Sequence, residues 1–211
     1  MSILNQLSSQ VGERSEGPNR RVADRCLGEP GLLPEIAPGL GSDDAALAGD
    51  CAEVLTLVAE QRPNLVAPYA GAISALLGHK TTRVRWEAAH ALAYIAGAVP
   101  EAMSALLPKL AGIIHADASI IVRDYLIDAL GNYATTSPLA AEQASPYLKE
   151  ALTAWDGRHA AHALNGLANV AKLVPSNRAE LHAIAGNYLN DPKGVTRKAA
   201  KALLKTVKLG I

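Results

Sequence analysis

Three stretches of this chain set pairs of ligand-type side chains three or four residues apart: Glu87-x-x-His90, Asp124-x-x-x-Asp128 and His159-x-x-His162. On a helix those spacings bring both members of a pair to one face, and carboxylate with imidazole is a donor set that suits transition metals. Trp86, Tyr94 and Tyr125 lie among the same polar stretches. Aromatic side chains on a polar face are the usual anchors of a binding surface. Hydrolytic chemistry finds no support: the chain has no Gly-x-Ser-x-Gly elbow, no phosphate loop and no Gly-x-Gly-x-x-Gly.

These residues sit in a repeating frame. In Arg83–Ala96, the residues Val84, Ala88, Ala91, Leu92 and Ile95 fall on one side of a helix. The frame returns as Val122, Leu126, Ala129, Leu130, Tyr133 and as Val195, Ala199, Ala202, Leu203, Thr206. A looser copy is Ala160, Ala163, Leu164, Leu167, and an earlier one is Leu47, Cys51, Val54, Leu55, Val58. The anchoring leucines Leu55, Leu92, Leu130, Leu164 and Leu203 stand 37, 38, 34 and 39 residues apart. A helical pattern with that period predicts a solenoid of stacked helix pairs.

Turn chemistry divides the chain accordingly. Pro63, Pro100, Pro138 and Pro175 separate one repeat from the next, because proline cannot continue the helix before it. Within repeats, Ser, Thr and Asp precede each second helix, where their oxygens can accept from its free N–H groups. The pattern predicts first helices over Leu32–Leu40, Asn64–Leu77, Glu101–His115, Leu139–Ala154 and Asn177–Leu189. Second helices are expected over Asp44–Gln61, Thr82–Ala98, Ser119–Thr135, Gly157–Leu173 and Lys193–Lys208. Repeats then run over about 31–61, 64–98, 101–136, 138–173 and 176–208, within a solenoid spanning 31–211. Residues 1–30, with short helices at Met1–Val11 and Arg20–Leu27 and a loop at Gly12–Asn19, read as a cap over the first repeat's open face.

An Asp-bearing turn followed by Val-Arg-x-x-Ala-x-x-Ala-Leu resembles the HEAT repeat. The best matches are Val84-Arg85-Trp86-Glu87-Ala88-Ala89-His90-Ala91-Leu92 and Asp117…Val122-Arg123…Ala129-Leu130, with Leu32-Leu33-Pro34 and Leu106-Leu107-Pro108 on first helices. The resemblance implies an all-α, right-handed α-solenoid of five helix pairs with an N-terminal helical cap, the second helices lining its concave face. On that face fall Glu53, Trp86, His90, Tyr94, Arg123, Asp124, Tyr125, Asp128, His159, His162 and Lys201. HEAT-type di-iron hydroxylases gather ligands there through His-Glu dyads. This chain has Trp86 where the histidine belongs and no His-Glu dipeptide, so no metal or other cofactor is expected. HEAT-like DNA glycosylases present Trp, Asp and Arg on a basic concave face, and Trp86, Arg123, Asp124 and Trp155 supply those types. The field is wrong for them. Glu29–Glu60 holds seven acidic residues and no Lys or Arg, which repels phosphate.

Composition fits a binding module. Of 211 residues, 49% are hydrophobic and 19% charged, so a core can form, and with 4% aromatics and no Phe it must be built from Ala and Leu. The formal net charge of +0 argues against nucleic acid as a partner. Cys26 and Cys51 form no metal-ligand spacing, and Cys51 falls on the core face. No run of 18 apolar residues and no signal-peptide pattern occurs, so a cytoplasmic protein off the membrane is expected. Lys198, Lys201, Lys205 and Lys208 form a basic stripe on the last helix. With acid at the other end of the chain, the stripe raises head-to-tail self-association as one expectation. The expectation that gathers most of these features is a non-catalytic scaffold whose concave face holds a protein or peptide. Trp86, Tyr94 and Tyr125 would anchor the partner, and Asp124 and Asp128 would meet its basic groups. An enzyme on the same face is the alternative.

Overall fold

The protein is described by a computed structural model covering residues 2–13 and 15–208. Met1, Arg14 and residues 209–211, assigned above to the cap, its loop and the end of the solenoid, lie outside the described residues. Short turns at Ile3–Gln6 and Ser8–Val11 lead into α1 (Gly17–Gly28). Helix pairs follow, with α2 (Ala45–Gln61) and α3 (Thr82–Ile95) as the first two second helices. Then come α4 (Pro100–Ala116) with α5 (Ile120–Tyr133), α6 (Pro138–Ala151) with α7 (Ala160–Leu173), and α8 (Arg178–Asn187) with α9 (Gly194–Lys208). No strand occurs among the described residues. The second helices α2, α3, α5, α7 and α9 pack side by side in that order, and α1 packs on α2 at the start of the row. This is an α-solenoid.

The leucine frame is the core. Leu55, Leu92, Leu130, Leu164 and Leu203 are all buried, with the small residues Ala88, Ala91, Ala129 and Ala163 beside them. Small side chains let neighbouring helices approach closely. The backbones of α5 and α7 come close enough that a Cβ built on Gly131 would lie 2.9 Å from the Gly166 Cα. Polar side chains then staple each second helix to its neighbour's backbone. Asn132 Nδ2 donates to the Ala93 carbonyl at 2.9 Å, Asn169 Nδ2 to the Gly131 carbonyl at 3.0 Å, and Thr56 Oγ1 to the Glu87 carbonyl at 3.0 Å. Arg85 and Asp117 join successive repeats at their turns, Nε to Oδ2 at 2.6 Å. Asp44, Ser119 and Ser137 accept from N–H groups of the helices they precede.

Three expectations change. The first helices predicted over 32–40 and 64–77 are broken into short α and 3-10 turns. Pro34, Pro38 and Pro68 each remove an N–H and crowd the preceding turn. Pro108 and Pro146, by contrast, sit inside α4 and α6, which continue through them. The second helix predicted from Gly157 starts at Ala160, because Trp155, Asp156 and Gly157 all take left-handed backbone angles (φ 52°, 58° and 66°). Finally, α9 does not bury the predicted frame. Thr196, Ala199, Ala200, Leu203 and Val207 are buried, whereas Val195 is 66% exposed and Ala202 is exposed. α9 packs on α7 and α8, and the buried stripe is rotated by about one residue from the predicted frame. Val195 and Ala202 instead line an open gap beside α7.

Candidate binding face

The polar side chains of α2, α3, α5, α7 and α9 form a strip running across the row of second helices. At its α2 end is a pocket of about 450 Å³, lined among others by Glu13, Glu16, Asp50, Glu53, Arg83, Trp86 and Glu87. Its floor is a buried polar network. Asp50, 1% exposed, accepts from the Ser9 N–H (2.7 Å) through Oδ2, and from Asn19 Nδ2 (3.0 Å) and Arg83 Nη2 (2.7 Å) through Oδ1. Glu53, 7% exposed, accepts from the same two donors through Oε2, at 2.8 Å and 2.7 Å. Burial alone would raise the Asp50 carboxyl, but the bonds from Ser9, Arg83 and Asn19 outweigh it and hold it below the usual carboxylate range.

One guanidinium thus serves two carboxylates, and among the described residues no cation forms an ion pair with Glu87. Burial first and the Glu53 charge second push the Glu87 carboxyl up to about 7, against the smaller opposing pulls of Thr56 and Arg83. Trp86 forms the adjoining wall, half-buried. Its indole N–H is buried without a well-formed hydrogen bond, although the Tyr125 hydroxyl lies within its field. The result is a concave site with surplus negative charge beside an indole face. That combination suits an organic cation, held by charge and by the indole's π-face.

In the middle of the strip the polar groups are already engaged with one another. His90 stacks on Tyr125 (centroids 3.8 Å apart, planes 14° apart) and leans on Tyr94 (4.9 Å). Burial lowers the His90 pKa, so at neutral pH it is an uncharged ring in an aromatic stack. Asp128 Oδ1 meets His162 Nδ1 at 2.8 Å, and Asp124 Oδ1 meets His159 Nδ1 at 2.6 Å with His162 Nε2 3.5 Å away. The Asp128 hydrogen bond raises the His162 pKa against the effect of burial. Each Asp therefore carries a histidine from the next helix, so neither is the bare carboxylate expected from the sequence.

The structure places two further candidates elsewhere. His159 is 0% exposed, with Nε2 lacking a partner, and its ring meets Trp155 edge-on at 5.3 Å, so it belongs to the interior of the α5–α7 junction. Arg123 turns away from the face. Its Nε donates to the Ile114 carbonyl at 3.2 Å and its guanidinium lies 4.7 Å over the Trp155 ring. Glu53, though it lines the pocket, works largely as an internal acceptor. The set of Trp86, Arg123, Asp124 and Trp155 is split between the acidic pocket and this turn. Glu87 and His90 likewise diverge, one to the pocket and one to the aromatic stack. Among the described residues, no three His, Cys, Asp or Glu side chains form a group that could hold a metal ion.

Sequence reasoning passed over Asn19 and Arg83, the two donors that organise the pocket floor. Arg83 carries a local signal, since it lies one helical turn before Trp86. Asn19 carries none. It reaches Asp50 and Glu53 from α1 across 31 and 34 residues of chain.

Beyond the pocket the sign of the strip reverses. Lys198, Lys201, Lys205 and Lys208 are all exposed on α9. Lys198 borders the gap between α7 and α9, about 510 Å³, together with Ala161, His162, Asn165, Val195, Ala199 and Ala202. The outer ends of the row are a different matter. α1, which packs on α2, exposes Arg20, Arg21, Asp24 and Arg25, with Glu16 and Glu29 exposed at its two ends.

Solved helical-repeat proteins share this architecture. A designed armadillo repeat protein in complex with the peptide (KR)4 superposes with a TM-score of 0.73 at 17% identity, covering 97% of this chain and 98% of that one. A computationally designed armadillo repeat protein for modular peptide recognition gives 0.69 at 19% identity, covering 97% and 98%. The fold is that of the HEAT and armadillo repeats. An archaeal HEAT-like repeat protein from Thermococcus onnurineus NA1 agrees, with a TM-score of 0.53 at 14% identity over 92% of this chain and 97% of that one. No protein-family model matches the sequence, and no curated protein matches it.

Proposed function

We propose that the strip of second-helix side chains is a peptide-binding groove, and that its principal subsite takes a basic side chain of the partner. The observation that carries this reading is the pocket at the α2–α3 junction, where Glu13, Glu16, Asp50, Glu53 and Glu87 line one cavity with Trp86, and among the described residues Arg83 pairs with Asp50 and Glu53 and Arg20 with Glu16. An extended Lys or Arg side chain suits such a site, its stem along the indole and its charge among the carboxylates. Tyr94 and Tyr125, braced by His90, form a rigid aromatic floor for the next residues of the peptide. Asp124 and Asp128, with Lys201 on α9, continue the polar contacts. The designed protein bound to (KR)4 supports the chemistry by analogy of fold alone. In this reading residues 1–30 serve as a cap that also contributes Ser9 and Asn19 to the pocket floor.

The test is fluorescence anisotropy with a labelled Lys/Arg-rich peptide. Trp86→Ala is expected to weaken binding by about 2 kcal/mol, the scale of an aromatic hot spot, and Glu87→Lys to abolish it. Equal affinity of both variants and the parent protein for the peptide would remove this subsite from the reading.

A further inference from the structure

The groove's charge is ordered along its length. At the α2–α3 junction the pocket is lined by Asp50, Glu53 and Glu87 with Arg83 among them, and α5 carries Asp124 and Asp128, each paired with a histidine. On α7 the titratable group bordering the gap is His162, hydrogen-bonded to Asp128. On α9 it presents only bases: Lys198, Lys201, Lys205 and Lys208, with Arg197 tied to the Asp191 and Pro192 carbonyls. The α7–α9 gap adds a polar rim of His162, Asn165 and Lys198 around the exposed Val195 and the small side chains of Ala161, Ala199 and Ala202.

We infer that this face selects a peptide with two opposite charges at a fixed separation: a basic side chain for the acidic pocket, and an acidic side chain beside a small apolar one for the α7–α9 gap. The inference rests on the groove reading above and adds a register to it. Three steps separate the α2–α3 junction from the α7–α9 junction, α3 to α5, α5 to α7 and α7 to α9. At about 8–10 Å per helix–helix step the two subsites lie roughly 25–30 Å apart. An extended chain advances about 3.3 Å per residue, so the matching charges stand about eight residues apart. The ordering excludes a uniformly basic ligand as the best fit, because its far end would meet the lysines of α9 and be repelled.

A labelled peptide set reads this directly. One peptide carries Lys at one end and Glu-Val eight positions away. A second has Gln for the Glu, a third places the charges four positions apart, and a reversed version covers the other chain direction. At low salt, the eight-residue spacing in one of its two directions is expected to bind about tenfold more tightly than the Gln peptide or the short spacing. The exposed-surface variant Lys198→Glu should erase that advantage while leaving the Gln peptide bound at least as well. If the Gln peptide binds as tightly as the bipolar one, the register is wrong and the groove reading stands. If none of the peptides binds, the groove reading falls and takes the register with it. Sedimentation of the protein alone supplies the other occupant. A salt-sensitive dimer that Lys198→Glu/Lys201→Glu dissolves would assign the basic strip to a second copy and overturn the peptide register.

Discussion

Glu87→Gln tests the pocket without any ligand. In the folded protein the Glu87 carboxyl has its pKa pushed up to about 7 from an ordinary 4.5, because it is largely buried and faces Glu53. A carboxyl raised in this way binds more protons folded than unfolded, so between those values folding loses stability as pH rises. Each tenfold change in proton affinity is worth about 1.4 kcal/mol, which sets a ceiling near 3.4 kcal/mol; an open pocket reduces the expected cost to about 2 kcal/mol. Gln keeps the shape and never ionises. The variant should therefore match the parent near pH 4.5 and exceed its stability by about 2 kcal/mol at pH 8. In a chain of this size that is a Tm difference of roughly 4–8 °C. The difference between the two proteins is the quantity to follow, because the opposed shifts of His90 and His162 are common to both. Thermal melts by circular dichroism at half-unit steps from pH 4.5 to 8.5 measure it. A Tm difference that stays flat across that range would refute the account of Glu87 as a buried acid next to an uncompensated charge. The same linkage has a functional side. A bound cation favours the ionised carboxylate, so peptide binding near pH 7 should release a proton, visible by calorimetry in buffers of different ionisation enthalpy.

Other expectations follow from particular residues. Gly131→Ala should destabilise by about 1–3 kcal/mol, because the new methyl meets the Gly166 backbone, whereas Gly112→Ala, facing open space inside α4, should stabilise by up to about 1 kcal/mol; urea melts of both check the opposite signs. At Asp156, with φ 58°, Ala should be less stable than Gly by about 1 kcal/mol, and equal stabilities would dismiss the left-handed turn. Asp128→Asn removes the partner that raises His162. That stability is present below the ordinary histidine value of 6.5 and lost as pH rises through the folded one, so the variant should cost no more than about 1 kcal/mol at pH 5.5 and nothing at pH 9.

Much of the architecture was legible because it is written locally. Leu55, Leu92, Leu130, Leu164 and Leu203 announce the helices that bury them, and the prolines and capping residues mark most boundaries within a residue or two. The misses have physical causes of their own. Hydrophobic pattern cannot tell a proline that breaks a first helix, such as Pro68, from one the helix absorbs, such as Pro108. On α9 the frame holds at Ala199 and Leu203 but shifts to Thr196, Ala200 and Val207, because the face that α7 and α8 bury is set by packing and not by local pattern. At the site, the residue types were legible but their pairings were not. Asp124 and His159 are 35 residues apart, and Asp128 and His162 are 34 apart. Nothing local distinguishes a histidine that will be fully buried from one that remains on the strip.

The pairings also bear on how the face can bind anything tightly. Asp50 and Glu53 with Arg83, Asp124 with His159, and Asp128 with His162 each join one second helix to the next. The groups that would greet a ligand are therefore the groups that hold successive repeats in register. Their rotamers are fixed before binding, so little side-chain entropy remains to be lost when a partner arrives. The same arrangement limits what can be altered. Replacing Asp50 would strand the Ser9 N–H and one hydrogen of the Asn19 amide, whose other acceptor is Glu53, and weaken the α1–α2 contact, at a cost on the scale of a broken buried pair, about 3 kcal/mol. Specificity is more freely adjusted at the positions that carry charge without bridging repeats. Glu87 in the acidic pocket and Lys198 and Lys201 on α9 meet that condition, and they are the residues on which the charge order of the groove depends.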